Sequence, residues 1–83
     1  MPETREHRIK RLRMRSMRRG IKEMDLILDA FAQRTLESFS DDELDLYDDM
    51  LQENDQDLYR WVTAQEPAPV RFAPMIARIV ADI

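Results

Sequence analysis

The sequence predicts an all-α protein, a compact bundle of five short helices. Its 83 residues include one glycine and four prolines, and no run alternates β-branched residues with polar ones. Apolar residues instead recur at spacings of three and four, which is the period of an amphipathic helix. A chain of this length can form one domain around one modest core. We therefore expect residues 1–83 to be a single domain with a core over about residues 8–83.

The first two helices are predicted on either side of the lone glycine. The first covers about residues 5–18, and its sparse apolar positions are Ile9, Leu12 and Met17. Gly20 is expected to end it in the left-handed conformation that glycine tolerates. The second has its apolar residues at i, i+3, i+4 and i+7, namely Met24, Ile27, Leu28 and Phe31. This is the clearest amphipathic pattern in the chain. Asp25 and Asp29 lie off that stripe, and we expect both in solvent.

The three remaining helices are predicted from their starts. Ser40, with a glutamate three residues later, is typical of a capping box at a helix N-terminus. Asn54 is expected to cap the fourth helix, and Pro67 and Pro69 to keep the following link extended. The fifth helix begins near Ala73–Pro74, because proline suits a first turn. Its predicted apolar row is Phe72, Ile76, Ile79, Val80 and Ile83.

The net charge of −4 conceals a marked segregation of charge. Residues 1–24 have a balance of +6, residues 25–66 of −11 and residues 67–83 of +1. Opposite charges can hold the two halves together on folding, or leave a basic and an acidic face for partners. The basic first helix resembles a phosphate-contacting stripe, but it has no interleaved aromatic residues to stack on bases. With so acidic a remainder, we expect no nucleic-acid partner.

The reactive residue types argue against an enzyme. The chain has no cysteine, which excludes disulfides and thiolate chemistry. His7 is the only histidine and lacks partners for a metal site or a nucleophile–base pair. The acidic run over residues 41–49 lacks the glycine of a calcium loop and is interrupted by apolar residues. We expect no catalytic site and no metal site.

Targeting signals are not recognisable in the sequence. No segment approaches the roughly 18 apolar residues of a membrane span, and the Arg-rich start lacks the apolar stretch of a secretory signal. We expect a whole mature protein of the bacterial cytoplasm, without membrane insertion.

A purely structural role does not explain every residue of the segment around the glycine. A helix-ending role accounts for Gly20 but not for Arg19 or Glu23, which flank it. We expect these two side chains to project outward from one corner as a cation and a carboxylate. Loops held by a rigid scaffold are favoured sites of function.

Arg19, Gly20 and Glu23 form an Arg-Gly-x-x-Glu motif, and the chain resembles the FAD assembly factor family, also called succinate dehydrogenase assembly factor two. Similar blocks follow in family order at residues 24–28, 40–44, 55–61 and 66–67, so the resemblance spans about residues 8–80. Two departures stand out. The aromatic residue common before the motif is absent, and residues 54–57 read Asn-Asp-Gln-Asp where relatives usually have Pro-Asp-Pro-Asp.

The resemblance implies a non-enzymatic, monomeric helper that binds the flavoprotein subunit of succinate dehydrogenase, with fumarate reductase as a further candidate client. It implies that the helper promotes the covalent bond between a client histidine and FAD. Arg19, Gly20 and Glu23 would contact the client. A basic rim would comprise Arg15, Arg18 and Lys22. Without a glycine-rich dinucleotide loop, tight binding of FAD to the helper is not expected.

The alternative that the sequence leaves open is an antitoxin-like or regulatory protein-binding module. The identity of the client, the oligomeric state, and whether Glu23 touches protein or flavin are also left open.

Overall fold

The computed structural model describes residues 3–83, and within them the predicted all-α bundle is confirmed. A single 3-10 turn, Leu36–Ser38, continues the second helix. No β-strand occurs among these residues. The five helices are α1 (Arg5–Ser16), α2 (Lys22–Thr35), α3 (Asp41–Leu51), α4 (Asp55–Val62) and α5 (Ala73–Asp82).

Three of the predicted helix starts are confirmed, two of them by side-chain caps. Ser40 Oγ accepts a hydrogen bond from the Glu43 N–H at 3.2 Å, and the Glu43 carboxylate accepts one from the Ser40 N–H at 2.8 Å. Asn54 Oδ1 accepts from the Gln56 N–H at 2.8 Å. Proline lies in the first turn of α5. The two side chains satisfy backbone donors that a helix leaves free, and the proline lacks an N–H that would need a partner, so these starts are specified locally.

The predicted role of Gly20 as a left-handed helix end is wrong. The cap of α1 is Met17, at φ −100°, and Gly20 does not have a positive φ. The left-handed residue is Ala64, at φ 61° after α4. There the Gln65 N–H donates to the Arg60 carbonyl at 2.8 Å, the bond of a Schellman motif. An alanine therefore occupies the position that glycine would suit, and Gly20 has a different role.

The core is formed by one face of each helix, around an aromatic cluster. Phe31, Phe39 and Tyr47 have ring centroids 5.9–6.2 Å apart. Ser16 is fully buried, and its hydroxyl donates to the Leu12 carbonyl at 2.7 Å. Since that proton is committed, the Tyr47 hydroxyl donates to Ser16 Oγ, also at 2.7 Å. Burial raises the pKa of Tyr47 to about 12, so the hydroxyl keeps its proton, and this bond its donor, into the alkaline range.

Some residues of the predicted apolar faces lie outside the core. Met17 is 46 % exposed, Val80 45 % and Ile83 72 %. Met17 follows the end of α1, and Val80 lies about 100° around α5 from the buried Ile79. Met75, which the predicted row omitted, is buried instead.

The segregated charges bring α1 and α3 together. Exposed ion pairs of this kind contribute about 0–1 kcal/mol each, so they orient the helices more than they stabilise the fold. Arg11 also bridges to Glu3, and its hydrogen bonds lower the pKa of that carboxyl. The pairs between the helices are Arg5–Asp41, Arg8–Asp45, Arg11–Asp48 and Arg15–Asp48.

Length and hydropathy decide whether a helix can span a membrane. None of the helices within residues 3–83 has both the length and the hydropathy needed to cross a bilayer.

Candidate functional site at the Gly20 turn

The turn between α1 and α2 contains the Arg-Gly-x-x-Glu motif, and its arginine points inward. The Arg19 side chain is only 10 % exposed, and its Nε lies 2.6 Å from Asp55 Oδ1. Its two terminal nitrogens donate to the Leu51 carbonyl at 2.7 Å and the Glu53 carbonyl at 3.1 Å. The expectation that Arg19 projects outward is therefore wrong. Its guanidinium satisfies carbonyls left free where α3 ends and α4 begins.

At Gly20 the backbone comes close to the Asp55 carboxylate. The Gly20 N–H donates to Asp55 Oδ2, the oxygen that Arg19 Nε does not use. A Cβ added at Gly20 would lie 3.2 Å from that same oxygen. The glycine thus allows the backbone to come close to a carboxylate, and one aspartate accepts hydrogen bonds from both residues of the Arg-Gly pair.

A second carboxylate holds the turn from the other side. Asp25, in the first turn and a half of α2, accepts a hydrogen bond from the Arg19 N–H and is half-buried. The expectation that Asp25 lies free in solvent is therefore wrong. We call the group Arg19, Gly20, Asp25 and Asp55 the turn junction. It joins the α1–α2 turn to α2 and to the start of α4.

The predicted site residues divide into an outer and an inner set. Glu23, Lys22 and Arg18 are exposed, and none of the three forms an ion pair or side-chain hydrogen bond with another residue in the range 3–83. Arg15 is 37 % exposed and lies 3.0 Å from Asp48 of α3. The structure therefore places a carboxylate and two cations on the surface beside the turn, and turns Arg15 and Arg19 toward internal partners. Partner binding by these residues stays a prediction.

Asp55 is the residue of this site that sequence reasoning missed. It lies in the first turn of α4, where an aspartate usually faces solvent and interacts with the helix dipole. Its contact with Arg19 spans 36 positions and has no local signature. Only the return of α4 to the α1–α2 turn makes it a site residue.

Metal binding is not suggested by the arrangement of acidic side chains. In the part of the chain that the structure describes, no group of three or more potential ligands is placed to hold an ion.

The fold and the turn define a class of protein, a small helical bundle that fixes an Arg-Gly-x-x-Glu turn from within and exposes its glutamate. Comparison with known proteins gives the particular family. The family described as "Flavinator of succinate dehydrogenase" matches residues 10–82, and the chain belongs to it. The resemblance drawn from the motif and its following blocks is confirmed.

The curated relatives are similar over most of this chain. The protein named "Succinate dehydrogenase assembly factor 2, mitochondrial" of Meyerozyma guilliermondii is 51 % identical over 73 residues, which cover 84 % of the chain and 54 % of the relative. Its namesake in Mycosarcoma maydis is 42 % identical over 71 residues, 86 % of the chain and 30 % of the relative. "Succinate dehydrogenase assembly factor 2-A, mitochondrial" of Drosophila ananassae is 37 % identical over 79 residues, 93 % of the chain and 51 % of the relative. The chain thus spans about a third to a half of these relatives.

The expected cytoplasmic location is contradicted by this comparison. All three relatives carry names that place them in mitochondria.

Proposed function

We propose that this chain is a non-catalytic assembly factor. It binds the flavoprotein subunit of succinate dehydrogenase, or of the related fumarate reductase, and promotes covalent attachment of FAD to that subunit. The supporting observation is the exposed Glu23 of the family motif, presented beside a turn that four internal hydrogen bonds and an ion pair hold in place. Membership of a family described as "Flavinator of succinate dehydrogenase" supports succinate dehydrogenase as the client.

The mechanism rests on positioning. A bond between a histidine and the flavin forms when the two are held in near-attack geometry. A protein that binds the competent conformation of the client raises the population of that conformation. This chain needs no reactive group of its own for that role, and FAD remains on the client.

The internal residues of the motif reduce the conformational entropy that is lost on binding. Glu23 is free to accept charge-assisted hydrogen bonds from the client, which are stronger than neutral ones. Arg19 and Gly20 act through the turn junction, which sets the direction in which α2 presents Glu23. A turn already ordered in the free protein loses little conformational entropy on binding. Arg18 and Lys22 complete the surface as a basic rim.

Reconstitution tests the proposal. Purified client subunit without bound flavin is incubated with FAD, with and without this chain, and covalent flavin is read as fluorescence on a denaturing gel. We expect the chain to accelerate the appearance of the fluorescent band. We also expect it to act as a monomer that binds one client subunit. Equal covalent flavin with and without the chain would show the assignment to be wrong. A pull-down in which the chain captured a toxin in place of a flavoprotein would show the same.

A matched pair of variants tests the site. Glu23 and Asp42 are both exposed acids at the second position of a helix, α2 and α3 respectively. Removing either carboxylate therefore weakens the same helix-dipole interaction. We expect Glu23→Ala to lose the acceleration and Asp42→Ala to keep it, with equal helical circular dichroism. If the two variants behave alike, Glu23 is not a client contact.

A further inference from the structure

One side of α1 is basic, partly apolar and turned away from the rest of the bundle. Lys10, Arg13 and Met14 have the spacing i, i+3 and i+4, which places them on one helical face. Met17 is the residue that caps the end of α1, and Arg18 lines the same surface depression as Met14. We call this the outer face of α1, and it comprises Lys10, Arg13, Met14, Met17 and Arg18. Met14 is 41 % exposed and Met17 46 %, and the three cations are exposed as well.

The cations of this face differ from the other arginines of α1. The inward-facing arginines all pair with acids of α3. By contrast, Lys10, Arg13 and Arg18 form no ion pair with any residue from 3 to 83. Glu6 and Glu37 border the groove beside Lys10 and Arg13, so the positive excess grows toward Arg18. In a chain of net charge −4, this local excess is available to an acidic partner.

The two methionines give the face an apolar centre. Methionine is flexible and polarisable, and it recurs at surfaces that adapt to a protein partner. Interfaces combine such an apolar centre with a polar rim in which arginine is enriched. Met17 and Arg18 also lead directly into Arg19 and Gly20. The face therefore ends at the turn that contains the Arg-Gly-x-x-Glu motif.

We propose that the outer face of α1 docks on an acidic surface with an apolar centre, on the same flavoprotein subunit that Glu23 contacts. The inference rests on the proposed function and deepens it. The cations accelerate encounter with the acidic surface, while the methionines bury their exposed part and slow dissociation. Nucleic acid fits less well, because methionine offers no ring for base stacking.

The charge contribution is tested by association kinetics with the purified flavoprotein subunit. The variant Lys10→Glu/Arg13→Glu should lower the association rate constant about tenfold and flatten its dependence on ionic strength. The control is Arg34→Glu/Arg60→Glu, which makes the same net change at two arginines whose ion pairs are long, 3.6 and 3.5 Å. We expect the control to change the rate constant less than about threefold. Equal effects of the two variants would contradict a docking role for this face.

The apolar contribution is tested by dissociation. Met14→Ser/Met17→Ser should raise the dissociation rate constant about tenfold and leave the association rate constant within about twofold of the wild type. An unchanged dissociation rate constant would overturn this half of the proposal. Because all four substituted residues are exposed, melting temperatures close to the wild-type value are expected for both variants.

The failure of this inference is distinguishable from failure of the proposed function. If both α1 variants bind as the wild type does while Glu23→Ala does not, the outer face lies outside the interface and the proposed function stands. If the wild-type chain itself does not bind the flavoprotein subunit, the proposed function fails and this inference fails with it.

Discussion

Replacing Asp55 with asparagine should destabilise the protein more than its position near the surface suggests. The Asp55 carboxylate accepts hydrogen bonds from the Arg19 side chain and from the Gly20 N–H, one at each oxygen. Asparagine keeps one acceptor oxygen and turns an NH2 group toward the other donor. The new NH2 group then faces either the Arg19 guanidinium or the Gly20 N–H, both of which are donors. Arg19 also loses the negative charge that balances it.

The magnitude follows from the burial of the pair. Removing one partner of a buried ion pair costs about 3–5 kcal/mol. Arg19 and Asp55 are 10 % and 16 % exposed, and Arg19 keeps its bonds to Leu51 and Glu53. We therefore expect a loss of about 2–3 kcal/mol. For a domain of this size, that corresponds to roughly 10–20 °C in melting temperature.

Asp57→Asn is the matched control. Asp57 lies in the same first turn of α4, is 44 % exposed and pairs with Arg60 at 3.5 Å. The same chemical change should cost less than about 1 kcal/mol there. Urea unfolding followed by circular dichroism measures both variants. If Asp55→Asn loses no more stability than Asp57→Asn, the turn junction does not hold the fold as described.

Three further changes test other parts of the structure. Ala64→Gly should raise the free energy of unfolding by about 1 kcal/mol, since Ala64 is left-handed and glycine adopts that conformation without strain; an unchanged urea midpoint would contradict this. Gly20→Ala should cost about 1 kcal/mol by displacing the Asp55 carboxylate, and the cost should shrink in an Asp55→Asn background, as a double-mutant cycle would measure. The raised pKa of Tyr47, about 12 against an ordinary 10.0, means that the unfolded chain releases this proton first. Stability should therefore fall as the pH rises from 10 to 12, by about 2–3 kcal/mol in all. In Tyr47→Phe, the free energy of unfolding should no longer show this decrease between pH 10 and 12. An identical dependence on alkaline pH in the wild type and the variant would refute the assignment.

Helix starts could be read from the sequence because their causes are local. The Ser40 capping box and the Asn54 cap need residues two or three positions apart. The proline near the start of α5 needs no partner residue. The buried stripe of α2 follows from the helical period alone. The alternative in which α1 arginines pair with acids of a neighbouring helix was also accessible, because opposite charges were segregated along the chain.

The direction of individual side chains at the site was not accessible in this way. Gly20 read as a helix end, because glycine most often serves that role. In the structure it allows an aspartate from α4 to approach its backbone. Ala64 gave no signal at all, since alanine is not expected where φ is positive.

The sequence by itself determined the class of fold, the starts of the last three helices, and the motif by which the family is recognised. Those properties depend on neighbours within one or two turns, and on residue types in a fixed order. Only the tertiary structure decided that Arg19 is internal while Glu23 is exposed. The packing of α4 against the α1–α2 turn brings Asp55 within 2.6 Å of a guanidinium 36 positions earlier. A contact between such distant residues depends on how the helices pack, which no local pattern encodes.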